Sequence, residues 1–151
     1  MALQLIADGF AQGATIPKRF TCDGENISPA LRWTGQPAES KSFALIMDDP
    51  DAPGGTWNHW LVWDIPASDR SIPEGAESGA PAKSGKNDFG ELGYDGPCPP
   101  RGKPHRYFFR LFALDEPSLG LPAGAKRAAL DKALRKHVIA ESSYTGRYGR
   151  A

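Results

Sequence analysis

The stretch "DDPDAPGGTWNHWLVWDIP", residues 48–66, decides the fold. Its acidic loop, rich in proline and glycine, runs directly into segment 56–65, whose branched and aromatic residues are typical of a β-strand. Side chains alternate along a strand, so every second residue shares a face. The predicted face consists of Trp57, His59, Leu61 and Trp63. Because a strand that only fills a core has little use for a histidine, His59 marks a candidate site.

A second strong strand is predicted over 105–114, "HRYFFRLFAL", directly after another loop rich in proline and glycine. By the same alternation, one face carries His105, Tyr107, Phe109 and Leu111. Two of the three histidines therefore take matching places near the starts of two strands. The third, His137, lies in a predicted helix, where we interpret it as a surface residue.

The remaining pattern predicts a mainly β protein with a peripheral helix. A third strong strand is predicted over 42–48, with less marked strands at 3–7, 14–21, 30–33 and 142–150 and a long loop over 73–104. The helix is predicted over 123–140 from the spacing of Leu130, Leu134 and Val138. Many strands with one late helix indicate a β-sandwich or an open barrel.

Composition narrows the classes of function. The 151 residues fit one domain, 1–151, and 18 basic residues balance 18 acidic ones, which gives no electrostatic case for nucleic acid or an anionic membrane. No apolar run approaches the roughly 20 residues of a membrane-spanning helix. The N-terminus lacks the pattern of a signal peptide, so we expect a cytoplasmic protein. In that compartment Cys22 and Cys98 are expected to be free buried thiols, with a disulfide as the alternative if they meet.

The two strand histidines and the loop acids Asp48, Asp49 and Asp51 permit three kinds of site. They are a divalent-metal site, an acid–base pair and an anion site in which the histidines donate hydrogen bonds. The chain has no HxH or HxxxH spacing and no nucleophile elbow, so we expect no metal, no cofactor and no nucleophilic catalysis. Hydrogen-bonded core histidines are the structural alternative.

The loops around the histidines favour a preformed pocket. "DPDAP" (49–53) and "GPCPP" (96–100) stiffen the backbone, because proline fixes φ and restricts the residue before it. The glycine-rich stretch 85–96 lacks both nucleotide-loop patterns. We expect it to supply backbone N–H groups and Tyr94 to the same pocket.

These motifs together resemble a known family. "DPDAP" (49–53), "NHWLVWDIP" (58–66) and "GPCPPRGKPHRYFFRLFALD" (96–115) are similar to the phosphatidylethanolamine-binding proteins, also called Raf-kinase-inhibitor-like proteins. "FTCDGENISPAL" (20–31) and "GKNDFGELGYDGP" (85–97) resemble its small bacterial branch. The resemblance implies a large antiparallel sheet packed with smaller β elements in a Greek-key-like sandwich, with helices at the edge and a shallow pocket at one end.

The resemblance also implies a ligand and a set of contacts. Family members bind phosphate, phosphorylated head groups or carboxylates, and one histidine is expected to be oriented by Asp49. The implied ligand-binding residues are Asp49, Pro50, Asp51, Pro53, Trp57, His59, Tyr94, Pro100, His105 and Tyr107.

The resulting prediction is a non-enzymatic anion-binding protein that forms a homodimer and regulates signalling through a protein kinase or phosphoprotein partner. One alternative is a small hydrolase or isomerase that uses His59 and His105 as acid and base. The other is an interaction module whose pocket is vestigial.

Overall fold

The computed structural model describes residues 2–76 and 82–151, which form two antiparallel sheets. The larger sheet consists of β3 (Ser42–Asp49), β4 (Trp57–Pro66), β6 (Lys83–Ser84), β7 (His105–Leu114) and β8 (Val138–Tyr148). Its strand order is β6-β4-β3-β7-β8, and the central strand β3, which is apolar for most of its length, is buried throughout. The smaller sheet has the order β1-β2-β5, with β1 (Gln4–Ala7), β2 (Leu31–Thr34) and β5 (Ser71–Ile72).

Apolar side chains cover both faces of the larger sheet. Between the two sheets, Leu5 and Trp33 pack in one cluster with Tyr107. On the other face, the only α-helix in the described ranges, α1 (Arg127–Leu134), buries Leu130 and Leu134 in a second cluster. The mainly β class with a peripheral helix is therefore confirmed.

Two predicted elements have different boundaries. The helix predicted over 123–140 ends at Leu134, because Lys136 takes a positive φ of 74° and the chain enters β8 at Val138. The strand predicted over 14–21 is absent from that described segment. Thr15 makes only an isolated bridge, and the residues after Pro17 form a short 3-10 helix, Lys18–Phe20. The predicted loop over 73–104 contains β6, and its residues 77–81 lie outside the described residues.

Strict alternation fails in β4. His59 has no register partner in β3, so the pairing shifts there by one residue, as in a β-bulge. Leu61 and Trp63 consequently pack on the α1 side of the sheet, whereas the His59 ring lies 5.3 Å from the ring of Tyr107 in the cluster between the sheets. The predicted common face of Trp57, His59, Leu61 and Trp63 is therefore wrong.

A disulfide joins Cys22 to Cys98, and the expectation of free thiols is wrong. The segment after the 3-10 helix lies against the loop before β7, where the Cys22 N–H donates to the Pro97 carbonyl over 3.1 Å. This contact brings the two cysteine Cα atoms to 5.4 Å, within the usual range for a bridge.

Within residues 2–76 and 82–151, no helix combines the length and the apolar character that crossing a bilayer requires.

Candidate functional site

A cavity of about 220 Å³ lies where β3 ends and where β4 and β7 begin. Both strand histidines therefore reach it, together with the proline-rich loops that precede each strand. Its lining residues are Asp49, Ala52, Pro53, Trp57, His59, Phe89, Cys98, Pro99, Pro100, His105 and Tyr107.

His105 is held by the last residue of β3. Its Nδ1 atom lies 2.7 Å from Asp49 Oδ2, and both residues are buried. The carboxylate can only accept, so Nδ1 carries the proton and Nε2 is the nitrogen available to a molecule in the cavity. Asp49 Oδ1 also accepts the Asp51 N–H over 2.8 Å, which fixes the carboxylate against its own loop.

His59 is held by a backbone carbonyl. Its Nδ1 atom donates to the Asp95 oxygen over 2.7 Å, and the Asp95 N–H donates back to the His59 carbonyl over 3.1 Å. Burial lowers the pKa of His59, against the opposing effects of the Asp95 carbonyl and the Asp49 carboxylate. His59 is therefore neutral at pH 7, with its proton on Nδ1 and a lone pair on Nε2.

The glycine-rich stretch 85–96 supports His59 through side-chain amides. The Asp95 carboxylate accepts hydrogen bonds from Asn26 over 3.1 Å and from Asn87 over 2.9 Å. Asn26 also accepts the Gly96 N–H over 2.8 Å. Any side chain at Gly96 would collide with the Phe20 carbonyl, which explains the glycine. The stretch thus gives the His59 ring a carbonyl acceptor, and of its residues only Phe89 lines the cavity.

Tyr107 lies between the two histidines. Its ring centroid is 5.3 Å from that of His59 in an edge-on arrangement and 6.5 Å from that of His105, nearly parallel. Burial raises the pKa of the Tyr107 phenol, with Asp49 and Asp51 acting in the same direction. The phenol therefore keeps its proton at neutral pH and remains a hydrogen-bond donor.

Asp51 points away from the cavity, and neither it nor Pro50 lines it. The Asp51 carboxylate accepts from the backbone N–H of Arg106 and from two of its guanidinium nitrogens, each over 2.9 Å. The Arg106 side chain is the main cause that lowers the pKa of Asp51 to about 2. Asp51 thus clamps the acidic loop to β7 beside His105, a positioning role rather than the predicted ligand contact.

Tyr94 is also placed elsewhere. Its hydroxyl donates to the Phe20 carbonyl over 2.6 Å, and its ring packs edge-on against Trp60 at 5.4 Å. The strand shift at His59 turns Trp60 toward the cluster between the sheets, and Tyr94 follows it. The expectation that Tyr94 enters the cavity is therefore corrected.

Four lining residues are absent from the predicted ligand-binding set: Ala52, Phe89, Cys98 and Pro99. Phe89 contacts both Trp57 and His59, with ring centroids 5.4 Å apart in each case. A phenylalanine within a stretch of glycine and charged residues is the signal that could have identified it. Ala52 and Pro99 lie inside "DPDAP" and "GPCPP", where only the flanking prolines were named.

Asp48 takes no part in the cavity because it faces the other side of the sheet. Its buried carboxylate lies 3.1 Å from Arg110 and 2.9 Å from Arg127. Asn58 also accepts from Arg127 over 2.8 Å, which ties α1 to β4. Successive residues of β3 thus serve two purposes, a structural ion pair at Asp48 and the orientation of His105 at Asp49.

The side chains whose arrangement could hold a metal ion lie away from the cavity. Among the described residues, the one group of three with mutually close ligand atoms is Asp115, Glu116 and His137, within 4.8 Å of one another. His137 Nδ1 lies 2.9 Å from Asp115 Oδ1, and all three residues are at least partly exposed. The pair of cavity histidines with Asp49 does not form such a group among the described residues.

Comparison with known proteins places the chain in a family. The family model described as phosphatidylethanolamine-binding protein matches residues 7–149. The chain belongs to the phosphatidylethanolamine-binding protein family. A UPF0098 protein of Aquifex aeolicus is 47% identical over 152 residues, covering 98% of this chain and 89% of the relative. The UPF0098 protein YbhB of Escherichia coli is 38% identical over 157 residues, covering 97% of this chain and 99% of the relative.

Solved structures agree with the family fold. Escherichia coli YbcL, described as a new member of the mammalian family, has a TM-score of 0.93 and 34% identity, with 100% of both chains covered. A homologue from Chlamydia trachomatis, CT736, has a TM-score of 0.92 and 38% identity, with 99% of both chains covered. The two-sheet arrangement around the candidate cavity is therefore that of the family.

Proposed function

We propose that this chain binds small anions in the cavity between His59 and His105 and performs no chemistry on them. The observation that carries the proposal is that both Nδ1 atoms are already occupied, His59 by a carbonyl and His105 by Asp49. Each ring therefore turns a single nitrogen, Nε2, toward a ligand, with the Tyr107 phenol between the rings. Three oriented groups around a small cavity suit phosphate, a phosphorylated head group or a carboxylate.

The cavity volume favours the head group over a whole lipid. Pockets for drug-sized ligands typically enclose about 300–1,000 Å³, whereas this cavity encloses about 220 Å³. Its apolar wall of Trp57, Phe89 and the loop prolines can contact a short ethanolamine-like substituent beyond the anion. The ligand class is thus an oxyanion with at most a small organic group.

At least one proton must be taken up in the complex, because both rings carry their own proton on Nδ1 and turn a bare Nε2 atom toward the anion. Neutral His59 offers a lone pair at Nε2, which repels a fully ionised phosphate oxygen but accepts from a protonated one. A phosphomonoester loses its second proton with a pKa of about 6, so the monoanion is available in mildly acidic solution. For each proton taken up, whether by the ligand or by a histidine, affinity is expected to fall by up to about tenfold per unit as pH rises above neutrality.

Calorimetry tests the proposal directly. Inorganic phosphate, phosphoethanolamine and acetate are titrated at pH 6 and pH 8 into the native chain, His59→Ala and the remote control His137→Ala. We expect binding at pH 6 that weakens at pH 8, is lost in His59→Ala and is kept in His137→Ala. The absence of heat with all three ligands at pH 6 would show that the cavity is vestigial. Equal affinity from pH 5.5 to 8.5 would mean that backbone donors dominate.

Catalysis is the alternative that one contact favours, because the Asp49–His105 pair has the orientation of an acid–base dyad. Apart from the Tyr107 phenol, the described lining residues carry no hydroxyl, and their one sulfur is held in the disulfide. A covalent route therefore lacks a ready nucleophile. Turnover of phosphoesters or reactive carbonyls that disappears in a folded His105→Ala variant would replace the binding proposal by the enzymatic one.

The proposed cellular role is regulation through a protein kinase or phosphoprotein. The same cavity chemistry would recognise a phosphorylated side chain, and the loops around it carry exposed Trp57 and Phe89 for further contact. Binding of a phosphopeptide, but not its unphosphorylated form, to the native chain and not to His59→Ala would support this role.

A homodimer is part of the same proposal. Val138 and Ile139, at the start of edge strand β8, are each 38% exposed, and an apolar edge favours a partner strand. Light scattering at several concentrations tests it, and a monomer mass throughout would overturn it.

Cytoplasmic location is proposed as well, although the disulfide weighs against it. Recovery of the native chain outside the cytoplasmic fraction would overturn that location.

A further inference from the structure

The disulfide beside the cavity has an asymmetric environment. Cys98 is exposed and lines the candidate cavity, whereas Cys22 is half-buried. One guanidinium nitrogen of Arg150 lies 3.3 Å from the Cys22 sulfur. The same guanidinium is held by Asp23, over 2.6 Å and 3.1 Å, and Asp23 in turn accepts from the Tyr148 hydroxyl. The residue that carries one sulfur is thus exposed, whereas the other sulfur lies beside a fixed cation.

A positively charged hollow adjoins Cys22. It encloses about 670 Å³, and its charged side chains are Lys18, Arg101, Arg150 and Asp23. Among the side chains, three cationic groups face one acidic group, an excess of positive charge that favours an anionic molecule there. Arg101 follows the "GPCPP" loop directly and pairs with Arg150 through an isolated bridge, so the hollow continues into the loop that carries Cys98.

From these two observations we propose that the Cys22–Cys98 bridge is a thiol–disulfide exchange site for small anionic thiols of the glutathione class, attacked at Cys98. The incoming thiolate forms a bond to Cys98 Sγ, the bond between the two cysteine sulfurs breaks, and its electron pair stays on Cys22 as a thiolate. One disulfide replaces another, so this step needs no other oxidant or reductant. A second thiol attacking the ligand sulfur releases the oxidised small-molecule disulfide and leaves Cys98 as a thiolate.

Arg150 decides which sulfur leaves. Exchange is faster when the leaving thiolate is more stable, and a neighbouring cation stabilises a thiolate. Arg150 contacts Cys22 and not Cys98 among the described hydrogen bonds, so departure of Cys22 is the favoured direction. Asp23 is paired with the same guanidinium and offsets part of its charge, but the contact between the guanidinium nitrogen and the Cys22 sulfur, over 3.3 Å, remains. The exposure of Cys98 and the position of the cation therefore agree on the direction of attack.

The experiment measures exchange on the folded, oxidised chain. Reduced glutathione is added without denaturant, the reaction is quenched with acid, free thiols are blocked with N-ethylmaleimide, and peptides are mapped by mass spectrometry. We expect glutathione on Cys98 and the maleimide on Cys22. Because the cation stabilises the leaving thiolate, we expect Arg150→Ala to slow exchange about 3- to 10-fold.

Matched variants separate charge from fold. Arg150→Lys retains the charge and should restore most of the rate, and Arg135→Ala, an exposed arginine at the end of α1, should react like the native chain. Arg101→Ala leaves the Cys22 contact intact and should reduce the preference for glutathione over the cationic thiol cysteamine. Glutathione found on Cys22, equal rates for Arg150→Ala and Arg135→Ala, or no adduct where a phosphine opens the bridge would each overturn the proposal.

Thiol–disulfide exchange at Cys98 should also weaken anion binding in the candidate cavity, a consequence that rests on the proposed function. A glutathionyl group on Cys98 occupies the wall that Pro99 and Pro100 share. Phosphate calorimetry on the purified adduct should therefore show at least a tenfold loss of affinity. The mass measurement uses no anion, so failure of exchange and failure of anion binding are recorded separately. Unchanged affinity in a confirmed Cys98 adduct would overturn the link between the two sites.

Discussion

Removing the disulfide should cost far more stability than any single hydrogen bond near it. The perturbation is Cys22→Ser combined with Cys98→Ser, which opens a bridge between residues 76 positions apart. In the chain-entropy model, closing a loop of that length lowers the entropy of the unfolded chain by about 15 cal/mol/K, or about 4.5 kcal/mol at 25 °C. We expect the free energy of unfolding to fall by about 3–5 kcal/mol.

The native state should change little, which is why the full entropic value applies. The segments on either side of the bridge remain joined by three other hydrogen bonds. They run from Cys22 N–H to the Pro97 carbonyl, from Gly96 N–H to Asn26, and from the Tyr94 hydroxyl to the Phe20 carbonyl. The loss therefore arises mainly because the unfolded chain gains conformations.

Urea unfolding followed by tryptophan fluorescence and far-ultraviolet circular dichroism measures the effect. At about 2–4 °C per kcal/mol for a chain of this size, the melting temperature should fall by roughly 6–20 °C. The double alanine variant at the same positions controls for the serine hydroxyls, and mass spectrometry verifies the bridge in the native chain. A loss below about 1 kcal/mol with unchanged denaturant dependence would refute the entropic reasoning.

The other predictions concern buried charge. Asp49→Asn removes a charge-assisted acceptor from His105 and should cost about 1.5–3 kcal/mol in urea unfolding; a change within error would contradict the pairing. Burial lowers the pKa of His59, so the unfolded state binds that proton more readily. Stability should thus decline as pH falls through about 6.5, and His59→Gln should flatten that slope; an unaltered slope would assign it to other groups. Asp48→Asn leaves a buried ion-pair network without its anion and should cost about 2–4 kcal/mol in thermal unfolding. The control Asp131→Asn removes an exposed i,i+4 partner of Arg127 and should cost less than about 0.5 kcal/mol in the same measurement.

The strongest strands were predictable because local pattern and tertiary environment agree. Segment 105–114 is β7 with the bounds predicted, and its ladder with β3 keeps register from Ser42 to Asp48. Strict alternation therefore gave the correct face for His105 and Tyr107. In β4 the same reasoning failed at His59, because nothing in "TWNHWLVW" indicates that this histidine has no partner in β3.

Helix and cysteine predictions failed for different reasons. The apolar spacing of the helix continues through Val138, but "HVIA" is also a good strand sequence, and pairing with β7 outweighs local helix preference. The interpretation of the cysteines rested on the expected compartment. Sequence separation cannot reveal that Cys22 and Cys98 meet, since their proximity depends on how the two loops pack.

The candidate site depends on the β-bulge at His59, which the sequence pattern does not reveal. Had β4 kept strict alternation, His59 would have shared the face of Leu61, on the α1 side, where Asp48 and Arg127 already form an ion pair. The unpaired residue instead turns the imidazole toward Tyr107 and the Asp95 carbonyl, which fixes its tautomer. The bulge therefore converts two separate histidines into one pair around a common cavity. A deletion that restored regular pairing at this point would be expected to remove the pair while leaving the sheet, because the ladders of β3 with β7 do not depend on it.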